Sequence, residues 1–183
     1  RTAGPRARTT MTPICAFDIA PDGRARALDT LEGAITRGYR WVHRDLNNPT
    51  SADWVRATLP AAAPGLLAAE TRPRADPHEE GLLLTLRGVN LNVGDAPEDM
   101  VSLRLWITPT LIVSMRRRRI FAIDDLRQAA VANAAPPSVG AFVAALVTGL
   151  VTRIENTSLA LDDLADAMED SVYENEEPAL PEL

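Results

Sequence analysis

Apolar and polar positions are patterned most clearly in the middle of the chain. "GLLLTLRGVNLN" (81–92) is a mostly apolar run of the length expected for a strand covered on both faces. "SLRLWIT" and "LIVSMRR" flank "TPT", a turn with Pro109 at its second position, and together they predict a hairpin. The sheet is therefore expected to have 81–89 at its centre with the Ser102–Met115 hairpin beside it, and Leu84 and Leu86 almost wholly buried. Upstream, "ICAFDIAPDG" reads as a short strand ended by a Pro-Asp-Gly turn, and "RARALD" as its return. "WVHRDL" is a strand with Trp41, His43 and Asp45 on one side and Arg40, Val42 and Arg44 on the other.

Helical spacing fills the rest. "NNPTSADWVRATL" opens with Asn48 before Pro49, with Thr50 and Ser51 as cap candidates, and Pro60 stops it. "APGLLAAE" is a further short helix, and "AIDDLRQAAVANA" carries Ile123, Leu126 and Ala129/Ala130 at helical spacing before Pro136 and Pro137 end it. No proline interrupts Val139 to Tyr173. There Val147, Leu150, Ile154, Thr157, Leu161, Leu164, Met168 and Ser171 recur in alternating steps of four and three, a heptad. One helix of that length would extend about 52 Å, more than one small domain can cover, so part of it has to pack on something else.

These elements predict an α/β (α+β) fold: a mixed β-sheet between helical layers, with a long C-terminal helix. The expected organisation is a disordered tail over 1–13, the α/β domain over 14–138, the long helix packing on it over 139–173, and a tail over 174–183. The most apolar stretch, 139–151, is shorter than the ~20 residues a bilayer requires, so no membrane-crossing segment is expected within the sequence.

Charge changes this picture. The formal net charge is −6, and all 19 basic residues are arginine. From Ile154 to Leu183 there are ten acidic residues and no arginine, which leaves +4 on the first 153 positions. Four consecutive arginines, Arg116 to Arg119, follow an apolar strand inside this acidic chain. Three readings remain open for them. They can pair with carboxylates of neighbouring helices, form an electropositive surface, or contact nucleic acid. The net acidity and the lack of interleaved aromatics argue against nucleic acid as a partner.

Catalytic constellations are missing. His43 and His78 are the only histidines, and there is no G-x-S-x-G elbow, G-x-G turn or phosphate-binding loop. Cys15, the one cysteine, sits in an apolar strand and reads as a core residue, although a Cys–His nucleophile pair is conceivable in principle. "DPHEE" (76–80) reads as a solvated loop, with His78 and Glu79 as a soft metal-site alternative. The sequence points away from an enzyme.

A resemblance sharpens the reading. "LLLTLRGVNLNVGDAPEDMVSLRLWITPTLIVSMRRRR", together with "FDIAPDG", "WVHRDL" and "RIENTSLALDDLADAMED", resembles the cytoplasmic domain of the CorA family of divalent-cation transporters, in its zinc-transporter ZntB branch. That resemblance implies an α/β/α cytoplasmic domain supporting and regulating a pore, in a homopentamer of the bacterial inner (plasma) membrane. It also implies two membrane helices beyond Leu183, the first ending in Gly-Met-Asn, with the present chain on the cytoplasmic side. No cofactor is expected; divalent cations, zinc and magnesium, are the transported or regulatory ions. In that setting Arg116, Arg117, Arg118 and Arg119 would face an axial funnel. Asp162, Asp163, Asp166, Glu169 and Asp170 would form a weak cation surface of mobile oxygen ligands. The alternative function is a free-standing soluble module that oligomerises through its heptad helix.

Overall fold

Seven strands form one sheet in the order β2-β1-β3-β7-β6-β5-β4. The computed structural model describes residues 13–69, 72–78, 80–96 and 99–175. Strand β1 (Cys15–Ile19) turns through Pro21–Gly23 into β2 (Ala25–Ala27). Gly23 is at φ +82°, and a Cβ there would lie 2.7 Å from the Ala135 carbonyl oxygen, so the turn requires glycine. β3 (Tyr39–Asp45) pairs antiparallel with β1 and parallel with β7 (Leu111–Arg116), which makes the sheet mixed. β7 and β6 (Val101–Ile107) form the expected hairpin, with Ile107 opposite Ile112. β6 pairs with β5 (Gly81–Gly88), and β5 with β4 (Arg74–His78).

Two helical layers cover the sheet. On one face lie α3 (Phe121–Val131) and the first part of α4 (Val139–Asn175), enclosing Phe17, Trp41, Leu103, Leu105 and Ile112 with Ile123, Phe142 and Leu146. On the other lie α1 (Pro49–Thr58) and α2 (Ala63–Leu66), packing Val55 and Leu66 on Val42, Trp106, Val113 and Met115. The predicted mixed sheet between helical layers and the long C-terminal helix are both present.

The structure differs from expectation in three ways. β1, β2 and β3 all lie beyond β7, so the centre is β7, and 81–88 is second from the edge, outside which β4, expected as a loop, adds one more strand. Within β5, Leu83 and Thr85 are buried on the α1–α2 face, whereas Leu84 and Leu86 are only partly buried against the other core. The cap of α1 is Asn48, whose side chain accepts from the Thr50 amide at 3.0 Å, and Thr50 and Ser51 lie inside the helix.

The long helix has two halves. Phe142, Leu146 and Leu150 are buried, four residues apart on one stripe. Arg153 then ties α4 to Asp125 of α3 at 2.6 Å, its guanidinium held by a second bond to the Gly149 carbonyl of α4 itself at 2.9 Å. Past that bridge the apolar heptad residues Leu161, Leu164 and Met168 are exposed, as is Leu159. By length and composition alone α4 is apolar enough to cross a membrane, with mean hydropathy 1.3 over an 18-residue window, which the shorter stretch 139–151 did not reveal. Its first half is nonetheless occupied by the sheet.

Candidate functional site

The first place where charge and burial meet is the Arg116 end of β7. Only Arg116 belongs to the strand; Arg117, Arg118 and Arg119 lie in the bend leading to α3, so alternation between sheet faces does not apply to them. Each arginine finds a different partner. Arg116 Nε donates to His43 Nε2 at 3.1 Å, and Arg117 reaches Asn47 Oδ1 at 3.4 Å. Arg118 ion-pairs with Asp95, and Arg119 with Asp124 while stacking 4.5 Å over Phe121. Asn90 positions this loop: it is buried, donates to Asp95 at 3.1 Å, and accepts from Asn92 at 2.7 Å.

His43 sits at the bottom of the same end of the sheet. Its Nε2 accepts from Arg116, so Nδ1 carries the proton and donates to Ser114 Oγ at 2.8 Å. Trp41 Nε1 donates to that same oxygen at 2.8 Å. Burial, aided by the Arg116 charge, lowers the His43 pKa to about 3, so the ring is neutral. Cys15 is the register partner of His43, a proximity invisible in the sequence. Yet both imidazole nitrogens are engaged, and burial pushes the Cys15 thiol up to about 12. No thiolate–imidazolium pair forms in this geometry.

Asp162, Asp163, Asp166, Glu169 and Asp170 are all exposed on the far half of α4. The i,i+4 spacing of Asp162, Asp166 and Asp170 aligns them along one side of it. Among the described residues no three His, Cys, Asp or Glu side chains come together as a metal centre. His78 is on the exposed edge strand β4, its ring edge-on to Trp106 with centroids 5.7 Å apart, and Glu79 lies outside the described residues. The sequence reading passed over the arginines inside strands, notably Arg44 and Arg104, which are buried on the α1–α2 face. Their signal was parity: each falls on the same side of its strand as core residues, Val42 beside Arg44 and Trp106 beside Arg104.

Residues 36–181 match the family model described as CorA-like Mg2+ transporter protein. The chain belongs to the CorA-like family. Among its CorA-like relatives, the zinc transport protein ZntB of Yersinia enterocolitica is 34% identical over 76% of this chain and 43% of its own length. The divalent cation transporter CmaX of Pseudomonas aeruginosa is 39% identical over 78% of this chain and 44% of its own. The chain thus spans a little under half the length of these relatives. The solved structure of full-length CmaX superposes with a TM-score of 0.83 at 31% identity, covering 97% of this chain and 56% of that one. The ZntB cytoplasmic domain from Vibrio parahaemolyticus superposes at 0.72 and 28% identity, covering 86% of this chain and 64% of that one. The first of these two likenesses takes in nearly the whole chain, the long helix included.

Proposed function

We propose that this chain is the cytoplasmic domain of a CorA/ZntB-type divalent-cation transporter, with zinc and then magnesium as the candidate ions, supporting and regulating a pore. The observation that carries the reading is the likeness to a ZntB cytoplasmic domain over 86% of the chain at 28% identity. The protein works in the bacterial inner membrane as a homopentamer, with this part on the cytoplasmic side, and it is a transporter component rather than an enzyme. The occupied nitrogens of His43 and its neutral, buried ring favour a structural role for the one histidine placed beside a cysteine.

The two halves of α4 suit this reading. Arg153 and Leu150 fix the helix to the body, while Leu161, Leu164 and Met168 offer an apolar stripe to neighbouring copies. Asp162, Asp163, Asp166, Glu169 and Asp170 form a weak, mobile oxygen surface that responds to divalent cations, because a bound cation relieves their mutual repulsion. Of the basic run Arg116 to Arg119, Arg118 and Arg119 order the loop as ion pairs, and Arg116 and Arg117 contribute positive charge to the basic body of the chain.

Reading the gene beyond codon 183 tests the proposal directly. Two apolar segments of about 20 residues are expected, the first ending in Gly-Met-Asn. A gene that closes without any such segment supports instead the free-standing oligomerising module, which the exposed stripe on α4 would also serve.

A further inference from the structure

The long helix leaves the body of the molecule at one joint. Leu150, 5% exposed, is the last buried residue of α4 among those described. It sits so close over β5 that a Cβ at Gly88 would come within 2.8 Å of its Cδ2. Beside it Gly149 lets α4 and α3 approach closely, since a Cβ there would lie 3.2 Å from the Ala122 Cβ. One turn further on, Arg153 and Thr157 continue the body-facing stripe and are partly buried. From Ser158 to Ser171 every residue is exposed.

Arg153 is bound on both sides of this joint. Its Nη2 donates to Asp125 Oδ2 of α3 at 2.6 Å, and its Nη1 to the Gly149 carbonyl at 2.9 Å. One guanidinium thus spans the turn that begins at Gly149 and fastens it to the neighbouring helix. Glycine is the weakest helix former after proline, so that turn is a soft point in the helix interior. Thr157 adds no second fastening to the body: its Oγ1 donates back to the Arg153 carbonyl at 2.9 Å, within α4. Such a bond competes with the regular helix ladder and favours bending there. The Arg153 side chain is 26% exposed and that of Asp125 56%. A pair so placed is open to water and to screening by salt.

We propose that the Arg153–Asp125 pair is a salt-sensitive latch, which sets whether the turn from Arg153 to Thr157 lies on the body or swings free about Gly149. Closed, it carries the contact one turn past Leu150 and fixes the direction of the far half of α4. Open, the contact ends at Leu150 and the exposed half moves as a lever from there. The seat of Leu150 over Gly88 is apolar and holds in either state, so the opening is local. The device depends neither on the acidic residues of the far half nor on the transporter reading.

Amide hydrogen exchange of the 183-residue chain, read residue by residue by NMR, tests the latch. Asp125→Asn should speed exchange of the amides of residues 153–157 about two- to fivefold, the range for losing a part-exposed ion pair. Amides of residues 142–150 and of β6 should be unchanged. Raising the salt to about 1 M, where the screening length is about 3 Å, should speed the same amides in the parent and add nothing in the variant. The double variant Asp125→Asn/Arg153→Gln should exchange no faster than Arg153→Gln alone, because both changes remove one pair. A rise spread evenly over α4 and the sheet, additive effects in the double variant, or a parent indifferent to salt overturns the proposal. Should Asp125→Asn fail to fold, Arg153→Gln and the salt series on the parent carry the test, and an even or absent response in them overturns it equally.

Discussion

Truncating one leucine in each half of α4 should produce opposite results. Leu146 is fully buried between the helix and the sheet, whereas Leu164 is 56% exposed beyond the Arg153–Asp125 bridge. Leu146→Ala removes three carbons, worth about 0.8 kcal/mol each in transfer energy. The cavity left among Phe142, Leu150 and the strand residues adds to that, for a total of about 2–5 kcal/mol. For a chain of this size each kcal/mol lowers the melting temperature by roughly 2–4 °C, so a fall of about 4–20 °C is expected. Leu164→Ala should stay within about 0.5 kcal/mol of the parent, because its side chain is already in water. Urea denaturation followed by far-UV circular dichroism, with melting curves at low protein concentration, measures both. Equal losses in the two variants would show that the far half of α4 is packed on the body, and the division of the helix would be wrong.

Other predictions follow from individual residues. Because the folded pKa of His43 lies near 3 while its ordinary value is 6.5, the unfolded chain binds the extra proton between those values. Stability should therefore fall as pH drops from about 6.5 toward 4.5, by up to about 1.4 kcal/mol per pH unit, and His43→Asn should flatten that slope. Asn48→Ala should cost about 1 kcal/mol by removing the cap of α1, measured by chemical denaturation. Gly38 and Gly33 both have positive φ, but a Cβ at Gly38 would lie 1.9 Å from the Ile19 carbonyl oxygen while Gly33 faces open space. Gly38→Ala should thus destabilise far more than Gly33→Ala, to the point of lost soluble expression. Changing Asp162, Asp166 and Asp170 together to Asn should abolish any stabilisation by Mg2+ or Zn2+ seen in thermal melts; an undiminished response would make the acidic helix a solvated face only.

What could be read in the sequence follows the strength of local pattern. The β6–β7 hairpin and the start of α1 were legible because Pro109 marks the turn and Pro49 the first turn of the helix, although the capping side chain is Asn48 and not Thr50 or Ser51. β4 was not, since "RADPH" holds three charged or polar residues and a proline, and only an edge position tolerates that composition. The sheet's centre was misplaced because β3 pairs with β7, which puts β1, β2 and β3 together on the far side of the hairpin, a long-range pairing that no local pattern marks; the parity of burial in "LLLTL" was equally unmarked, since every position there is apolar or small enough to face either core. The arginine run looked like a strand end because no glycine or proline marks the bend after Arg116. Pairings such as Arg118–Asp95 and Arg119–Asp124 depend on loop closure, which no spacing encodes. The Cys15–His43 juxtaposition comes from the β1–β3 register and was equally hidden. The charge asymmetry along the chain, in contrast, needed only counting.

Zinc flux through the whole protein tests the central claim most directly. The gene product containing this domain, reconstituted in liposomes loaded with a zinc-sensitive dye, should carry Zn2+ inward at a rate that rises with external zinc and exceeds that of protein-free vesicles. Flux indistinguishable from empty liposomes for Zn2+ and Mg2+ alike, with the protein inserted and folded, would contradict the assignment.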